Sequence, residues 1–238
     1  LIQFIAETGS TNADLLARLK AGEGVREGQW LVADRQVAGR GRQGRPWQDH
    51  IGNFMGSTVV ECRPADPPAQ MLAFVTGLAV RGTLADWNAL EGELRLKWPN
   101  DVLLNGAKLA GILLEREGDH VVVGIGVNLA RAPRIEGRET IALADLGMQV
   151  PRDDFAHRLA ERFAQELDRW RTFGTAHLLS QWSKAALAVG TPITVHEPGG
   201  AVLRGTVSGL GEDGSLLLDL GNGESRAIHA GDVMLARQ

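Results

Sequence analysis

Four short apolar runs follow one another with almost nothing between them: LRLKWP from Leu94, DVLLN from Asp101, KLAGILLE from Lys108 and HVVVGIGVNL from His120. Each is rich in Val, Ile and Leu, and turn formers such as Pro99-Asn100 and Asn105-Gly106 separate them. A parallel crossover needs a dozen or more residues between strands, usually a helix. No such length exists here, so this block is predicted to fold as hairpins.

The flanking segments alternate. Ile2 to Glu7 reads as a strand, and GSTNADLLARLKAG as a helix capped by Ser10 or Thr11 and ended by Gly22. Trp30 to Ala33 and NFMGSTVV are further strands, while AQMLAFVTGLAVRGTLADW carries apolar residues at helical spacing. Phe155, Leu159, Phe163, Leu167 and Trp170 form one stripe of a later helix, and another spans roughly His177 to Ala188. From VGTPITV onward only short alternating strands remain, which predicts a small β-barrel or sandwich. The reading is an α+β protein with two domains, 1–188 and 189–238.

Composition excludes several classes. With 44% hydrophobic and 23% charged residues, the 238-residue chain can build a substantial core. A net charge of −4 gives no global attraction to nucleic acid or anionic membrane. Cys62 is the single cysteine, so no internal disulfide and no two-cysteine metal motif can form, and a cytoplasmic setting is expected. No apolar run reaches the length of a membrane span, and the N-terminus lacks a signal-peptide pattern. Only Lys20, Lys97, Lys108 and Lys184 are lysines among 25 basic residues, so a lysine is more informative here than an arginine.

Positive charge concentrates in QVAGRGRQGRPW, residues 36–47. Gly39, Gly41 and Gly44 match a G-x-G-x-x-G spacing, but so do Gly209, Gly211 and Gly214 in what reads as a hairpin turn. A dinucleotide site needs a helix to begin within the glycines; Pro46 and the polar run after Trp47 oppose one, and no Lys-Ser or Lys-Thr follows for a P-loop. Physically the stretch is a flexible backbone carrying guanidiniums at Arg40, Arg42 and Arg45, suited to a small polyanion that orders it. A solvated surface loop and an RNA-binding segment are the alternatives. Such a loop is expected to be loosely ordered when empty.

GSTN, QVAGRGRQGRPW, LKWPNDV, KLAGILLE and GIGVNL occur in the order and approximate spacing of the biotin protein ligases, a family the chain resembles along nearly its whole length. That resemblance implies a mixed β-sheet with flanking helices, a class II synthetase-like catalytic domain, followed by an SH3-like barrel. It also implies ATP and biotin as substrates with Mg²⁺, activation of biotin to biotinyl-5'-AMP, and transfer to a lysine of a biotin carboxyl carrier protein. A homodimer is common in such a family. Residue by residue, the resemblance implies that Arg40, Gly41 and Arg42 meet biotin carboxylate and phosphate, that Lys108 bridges carboxylate and α-phosphate, and that Gly111 permits close backbone approach. Ser10, Thr11, Asn12 and Gln36 would surround the ureido ring. Arg45, Trp47, Asn100 and Asn128 would serve the nucleotide, although Trp47 could equally pack in the core and Ser10 cap its helix. Asp101 would hold Mg²⁺, position the acceptor amine or cap its turn.

Two departures stand out. Many relatives carry an N-terminal helix-turn-helix, whereas this chain begins at the catalytic domain, so no DNA role is expected. The family's C-terminal arginine is displaced by one place to Arg237, which turns it to the other strand face and makes a nucleotide contact from that end doubtful. Lipoate ligases and octanoyl transferases are the rivals, the latter needing a cysteine nucleophile for which Cys62 is poorly placed.

Overall fold

The hairpin block forms one side of a seven-stranded sheet in the computed structural model, which describes residues 1–48, 50–87, 93–221 and 223–236. β4 (Leu94–Lys97), β5 (Asp101–Leu104), β6 (Ala107–Glu117) and β7 (His120–Val127) run antiparallel, each beside the next. Asn105 and Gly106 turn β5 into β6 with φ of 51° and 81°, the left-handed pair that an Asn-Gly hairpin turn demands.

The other side comes from β1 (Ile2–Thr8), β2 (Trp30–Gln36) and β3 (Phe54–Glu61), giving the order β1-β2-β3-β7-β6-β5-β4. β1 and β2 are parallel, joined through α1 (Thr11–Lys20), so the sheet is mixed. Alternation sorts the faces. Leu31, Val59 and Val122 meet Leu15 and Leu19 of α1, while Trp30, Val32, Val60, Val121 and Val123 meet the opposite layer. That layer is α2 (Leu72–Ala85) and α3 (Arg152–Ala185), whose stripe Phe155, Leu159, Phe163, Leu167 and Trp170 is buried as predicted. Each such side chain contributes about 1.5–3 kcal/mol by leaving water.

α3 is broken at Gly174, where φ 74° and ψ −174° divide it into the two helices that the sequence indicates. The second ends at Ala185, short of Ala188, because the chain leaves it to meet the edge of β4: Leu187 N donates to Leu96 O at 3.0 Å.

β8 (Pro192–His196), β9 (Val202–Leu210), β10 (Leu216–Asp219), β11 (Ser225–Ile228) and β12 (Asp232–Leu235) form a second, antiparallel sheet in the order β11-β10-β9-β8-β12. Gly209, Gly211 and Gly214 lie at the β9–β10 hairpin, with Gly211 N donating to Ser215 O at 2.8 Å. The small all-β unit is as expected; among the described residues its four-residue end strands β11 and β12 do not pair, so the sheet is not closed. This small unit is docked on the large one. Trp98 Nε1 donates to Gly214 O at 3.0 Å, Lys97 Nζ to Val233 O at 2.7 Å, and Ile193, Val207, Leu216 and Val233 continue the main core. No described helix is long and apolar enough to cross a membrane.

Candidate active site

The HVVVGIGV strand carries its glycines on one face only. Val121, Val123, Ile125 and Val127 point into the α2–α3 layer, leaving Val122, Gly124 and Gly126 on the α1 side. α1 covers Val122 and stops. Across the neighbouring strands the register sets Gly126 beside Gly111, Gly111 beside Asp101 and Asp101 beside Lys97. A row without side chains therefore leads to a row with charges, and the result is a cavity of about 250 Å³. Every residue singled out from the motifs lines it: Ser10, Thr11, Asn12, Gln36, Arg40, Gly41, Arg42, Arg45, Trp47, Asn100, Asp101, Lys108, Gly111 and Asn128.

One end is polar and uncharged. Ser10 caps α1, its hydroxyl accepting from Ala13 N at 3.5 Å. Gln36 Oε1 accepts from Thr11 N at 2.7 Å and lies 3.0 Å from Thr11 Oγ1. Ser57, which the motifs did not reveal, lies 2.6 Å from Thr11 Oγ1 and donates to Asn12 Oδ1 at 2.5 Å. Ser10, Thr11, Asn12, Gln36 and Ser57 are all buried. A Cβ on Gly124 would stand 2.4 Å from Asn12 Oδ1, so the glycine is what admits the amide.

The other end is cationic. Asp101 is bracketed by Lys108 Nζ at 2.6 Å and Lys97 Nζ at 2.8 Å, one lysine on each oxygen. Burial pushes its carboxyl pKa up, but the two ammonium groups, through charge and hydrogen bonds, outweigh burial and hold it well below the usual carboxylate range. Both oxygens are thereby committed to cations, and among the described residues no three acidic, histidine or cysteine side chains gather to hold a metal. The residues present thus do not fit a protein-held Mg²⁺ at Asp101. Asn100 donates to Ile112 O at 2.6 Å and accepts from Arg42 at 3.3 Å, and so ties the KWPND turn to the arginine loop. Asn128 donates to the backbone carbonyls of Lys108 and Ile141 at 3.3 and 3.2 Å, which leaves Oδ1 to accept.

The arginine loop is more structured than its composition suggests. Gly41 N donates to Arg45 O at 2.7 Å and Trp47 N to Gly39 O at 2.9 Å, closing a small bridged turn. Its countercharge comes from the C-terminal unit: Asp232 pairs with Arg45 and, at 3.6 Å, with Arg138. Burial lowers the Arg42 pKa, offset in part by Asp232 and Asp101. Arg40 is exposed and makes no side-chain hydrogen bond or ion pair among the described residues. Trp47 lies on the glycine floor. A Cβ on Gly126 would stand 2.2 Å from its Cζ2 and one on Gly111 3.0 Å from its Cζ3, and its Nε1 is buried without a partner among the described residues.

Sequence reasoning missed Lys97, Ser57, Arg138, Asp232 and Val233, all of which line the cavity. Lys97 stands inside the LKWPNDV motif, which was a signal for it. The C-terminal unit does reach the cavity, through Asp232 and Val233, whereas Arg237 lies outside the described residues. Cys62 is not among the lining residues, and burial raises its thiol pKa, which suppresses the nucleophilic thiolate.

Known proteins resemble this chain in sequence and fold. The Biotin/lipoate A/B protein ligase family matches residues 7–128, and the biotin protein ligase C terminal domain matches residues 189–235. The biotin--[acetyl-CoA-carboxylase] ligase of Mycobacterium tuberculosis is 38% identical, covering 99% of this chain and 89% of its own. That of Paracoccus denitrificans is also 38% identical, covering 90% and 92%. Among solved structures, the biotin protein ligase from Aquifex aeolicus in complex with biotin and ATP is similar at a TM-score of 0.85 and 26% identity, over 100% of this chain and 99% of that one. With its motifs gathered around one cavity and such likeness along nearly its whole length, the chain belongs to the biotin protein ligase family.

Proposed function

We propose that this cavity is where the protein, an ATP-dependent biotin ligase, carries out both of its half-reactions, within a catalytic domain of residues 1–188 completed by the C-terminal domain 189–238. The carrying observation is the polarity of the cavity: a neutral hydrogen-bonding pocket at one end, a lysine and arginine cluster at the other, and a glycine floor between. Biotin has the same layout, with a cyclic urea, an apolar body and a carboxylate. The ureido group enters among Ser10, Thr11, Asn12 and Gln36, and the carboxylate reaches Lys108 and Arg40.

In the first step a biotin carboxylate oxygen attacks the α-phosphorus of ATP, and the bond to the β-phosphate oxygen breaks, releasing pyrophosphate. Negative charge grows on the phosphoryl oxygens. Lys108, Arg42 and Arg45 are already fixed beside that position, so little reorganisation is needed. Trp47 and Asn128 Oδ1 serve the adenine, with Trp47 leaving the floor as ligand enters. Mg²⁺ accompanies the ATP phosphates. In the second step a lysine amine of the biotin carboxyl carrier protein attacks the acyl carbonyl, gives up a proton, and AMP departs; Asp101, whose oxygens each keep a lone pair beyond its lysine, orients that amine from the cavity wall.

A lipoate substrate is disfavoured by the buried hydroxyl and amide groups, for which a dithiolane ring offers no hydrogen-bonding partners. ATP–pyrophosphate exchange tests the reading. Exchange should depend on biotin and ignore lipoate; a preference for lipoate, or no exchange, sinks it.

A further inference from the structure

Glu115 does not line the cavity, yet it terminates the polar chain that does. It lies on β6 opposite Val122 of β7, two rows beyond Gly111, and its Oε2 accepts from Asn12 Nδ2 at 2.8 Å. A carboxylate can only accept, so this contact fixes which way the Asn12 amide faces. Oδ1 is then turned to Ser57, whose hydroxyl donates to it at 2.5 Å. Ser57 has one proton, now spent, so at 2.6 Å it must accept from Thr11 Oγ1. Thr11 has one hydroxyl proton too, and giving it to Ser57 leaves Thr11 N, at 2.7 Å, as the donor to Gln36 Oε1, with Thr11 Oγ1 beside it at 3.0 Å. Every proton in the chain is thereby placed by an anion that the ligand never touches. What remains toward the cavity is a Thr11 oxygen able to accept and a Gln36 amide nitrogen able to donate, alongside the Ser10 hydroxyl.

The geometry points to Glu115 as a positioning residue for biotin, one that polarises the Glu115–Asn12–Ser57–Thr11 chain so that the pocket presents fixed acceptors and donors to a cyclic urea. The inference rests on the assignment of this pocket to the ureido group. Without the carboxylate, the Asn12 amide is free to turn over, Ser57 and Thr11 reverse, and only part of the population is set to receive the ligand. The consequence is confined to biotin recognition, because the chain lies at the end of the cavity away from Lys108 and Asp101.

The test is a double-mutant cycle read by biotin-dependent ATP–pyrophosphate exchange, with KM for biotin, KM for ATP and kcat measured separately and each variant checked by thermal melting. Asn12→Asp puts two carboxylates at hydrogen-bond distance and should raise KM for biotin by about tenfold or more. Glu115→Gln, whose amide can face either way, should raise it by roughly threefold. In Asn12→Asp/Glu115→Gln the new amide donates to the new carboxylate, Ser57 keeps its acceptor, and KM should return to within about threefold of wild type. KM for ATP and kcat should move less than about twofold throughout. A double variant no better than Asn12→Asp overturns the proposal. So does Glu115→Gln leaving KM for biotin unchanged or shifting KM for ATP equally, and this single variant decides the matter should Asn12→Asp not fold. Wild-type exchange that does not need biotin would instead remove the ureido assignment itself.

Discussion

Lys108 Nζ lies 2.6 Å from Asp101 Oδ1 while Lys97 Nζ lies 2.8 Å from the other oxygen, so one buried carboxylate holds two ammonium groups at the cationic end of the cavity. The pairing comes from sheet register. Asp101 and Lys97 are opposite each other at the turn end of the β4–β5 hairpin, and Lys108 reaches them from the next strand. Each ammonium is thereby held in place at the wall of the cavity.

Lys108→Ala should therefore cut the first half-reaction by on the order of 10²-fold or more, since a donor aimed at transition-state charge is lost. Asp101 keeps Lys97 as a partner in that variant, so the fold should persist. Exchange kinetics alongside circular dichroism check both statements; near-normal turnover would take Lys108 out of the chemistry.

Asp101→Asn should behave oppositely, with a large effect on stability. Removing the buried carboxylate leaves two half-buried lysines without a counterion, which costs up to about 3–5 kcal/mol. Because the folded Asp101 pKa lies below the ordinary carboxylate value of about 4, its stabilisation is complete above that value and drains away as the pH falls below it. Urea unfolding of wild type and variant should show a constant gap from about pH 7 to pH 5 and a shrinking one below about pH 4. A gap independent of pH down to the acid limit would contradict the pairing.

Gly126→Ala should evict Trp47 from the floor, since the new methyl would stand 2.2 Å from Cζ2 and only the indole can yield. Tryptophan emission should shift to the red as Trp47 meets water. A methyl in a shape-matched floor is worth about 1–3 kcal/mol, so biotin binding by calorimetry should weaken tenfold or more. Unchanged emission would show that the ring does not rest on this glycine.

Asp232→Ala should loosen the empty arginine loop. Both partners of the Arg45–Asp232 pair are partly exposed, so global stability should fall by no more than about 1 kcal/mol. The local effect is larger because Arg42, Arg45 and Arg138 then repel one another with no carboxylate between them. Hydrogen exchange across residues 38–47 should accelerate in the free protein and recover with biotin and ATP. Equal protection in both forms would show that Asp232 is not what closes the loop.

Much of the architecture was legible because it is local. The Asn105-Gly106 turn, the α3 stripe, the Ser10 cap and the strand alternation each rest on residues a few positions apart, and each formed as expected. Gly174 splits α3 between its two predicted halves for the same reason. Where expectation and structure part, the cause is distant in the chain. The end of α3 is set by the edge of β4, and the order of the arginine loop by a carboxylate 187 positions from Arg45.

The candidate site divides along the same line. Motifs point to fourteen residues, and all of them line the cavity, because chemistry restricts which residue types can stand at a ligand. They say nothing about Ser57 or Arg138, ordinary residues in unremarkable runs. By itself the sequence determined the strands, helices and turns and the kinds of side chain available to an adenylating site. Only the tertiary structure decided that Gly126, Gly111 and Asp101 share one row, that Asp232 stands among the arginines, and that Glu115 orients Asn12. Register and docking are set by long-range burial and hydrogen bonding, which no local pattern contains.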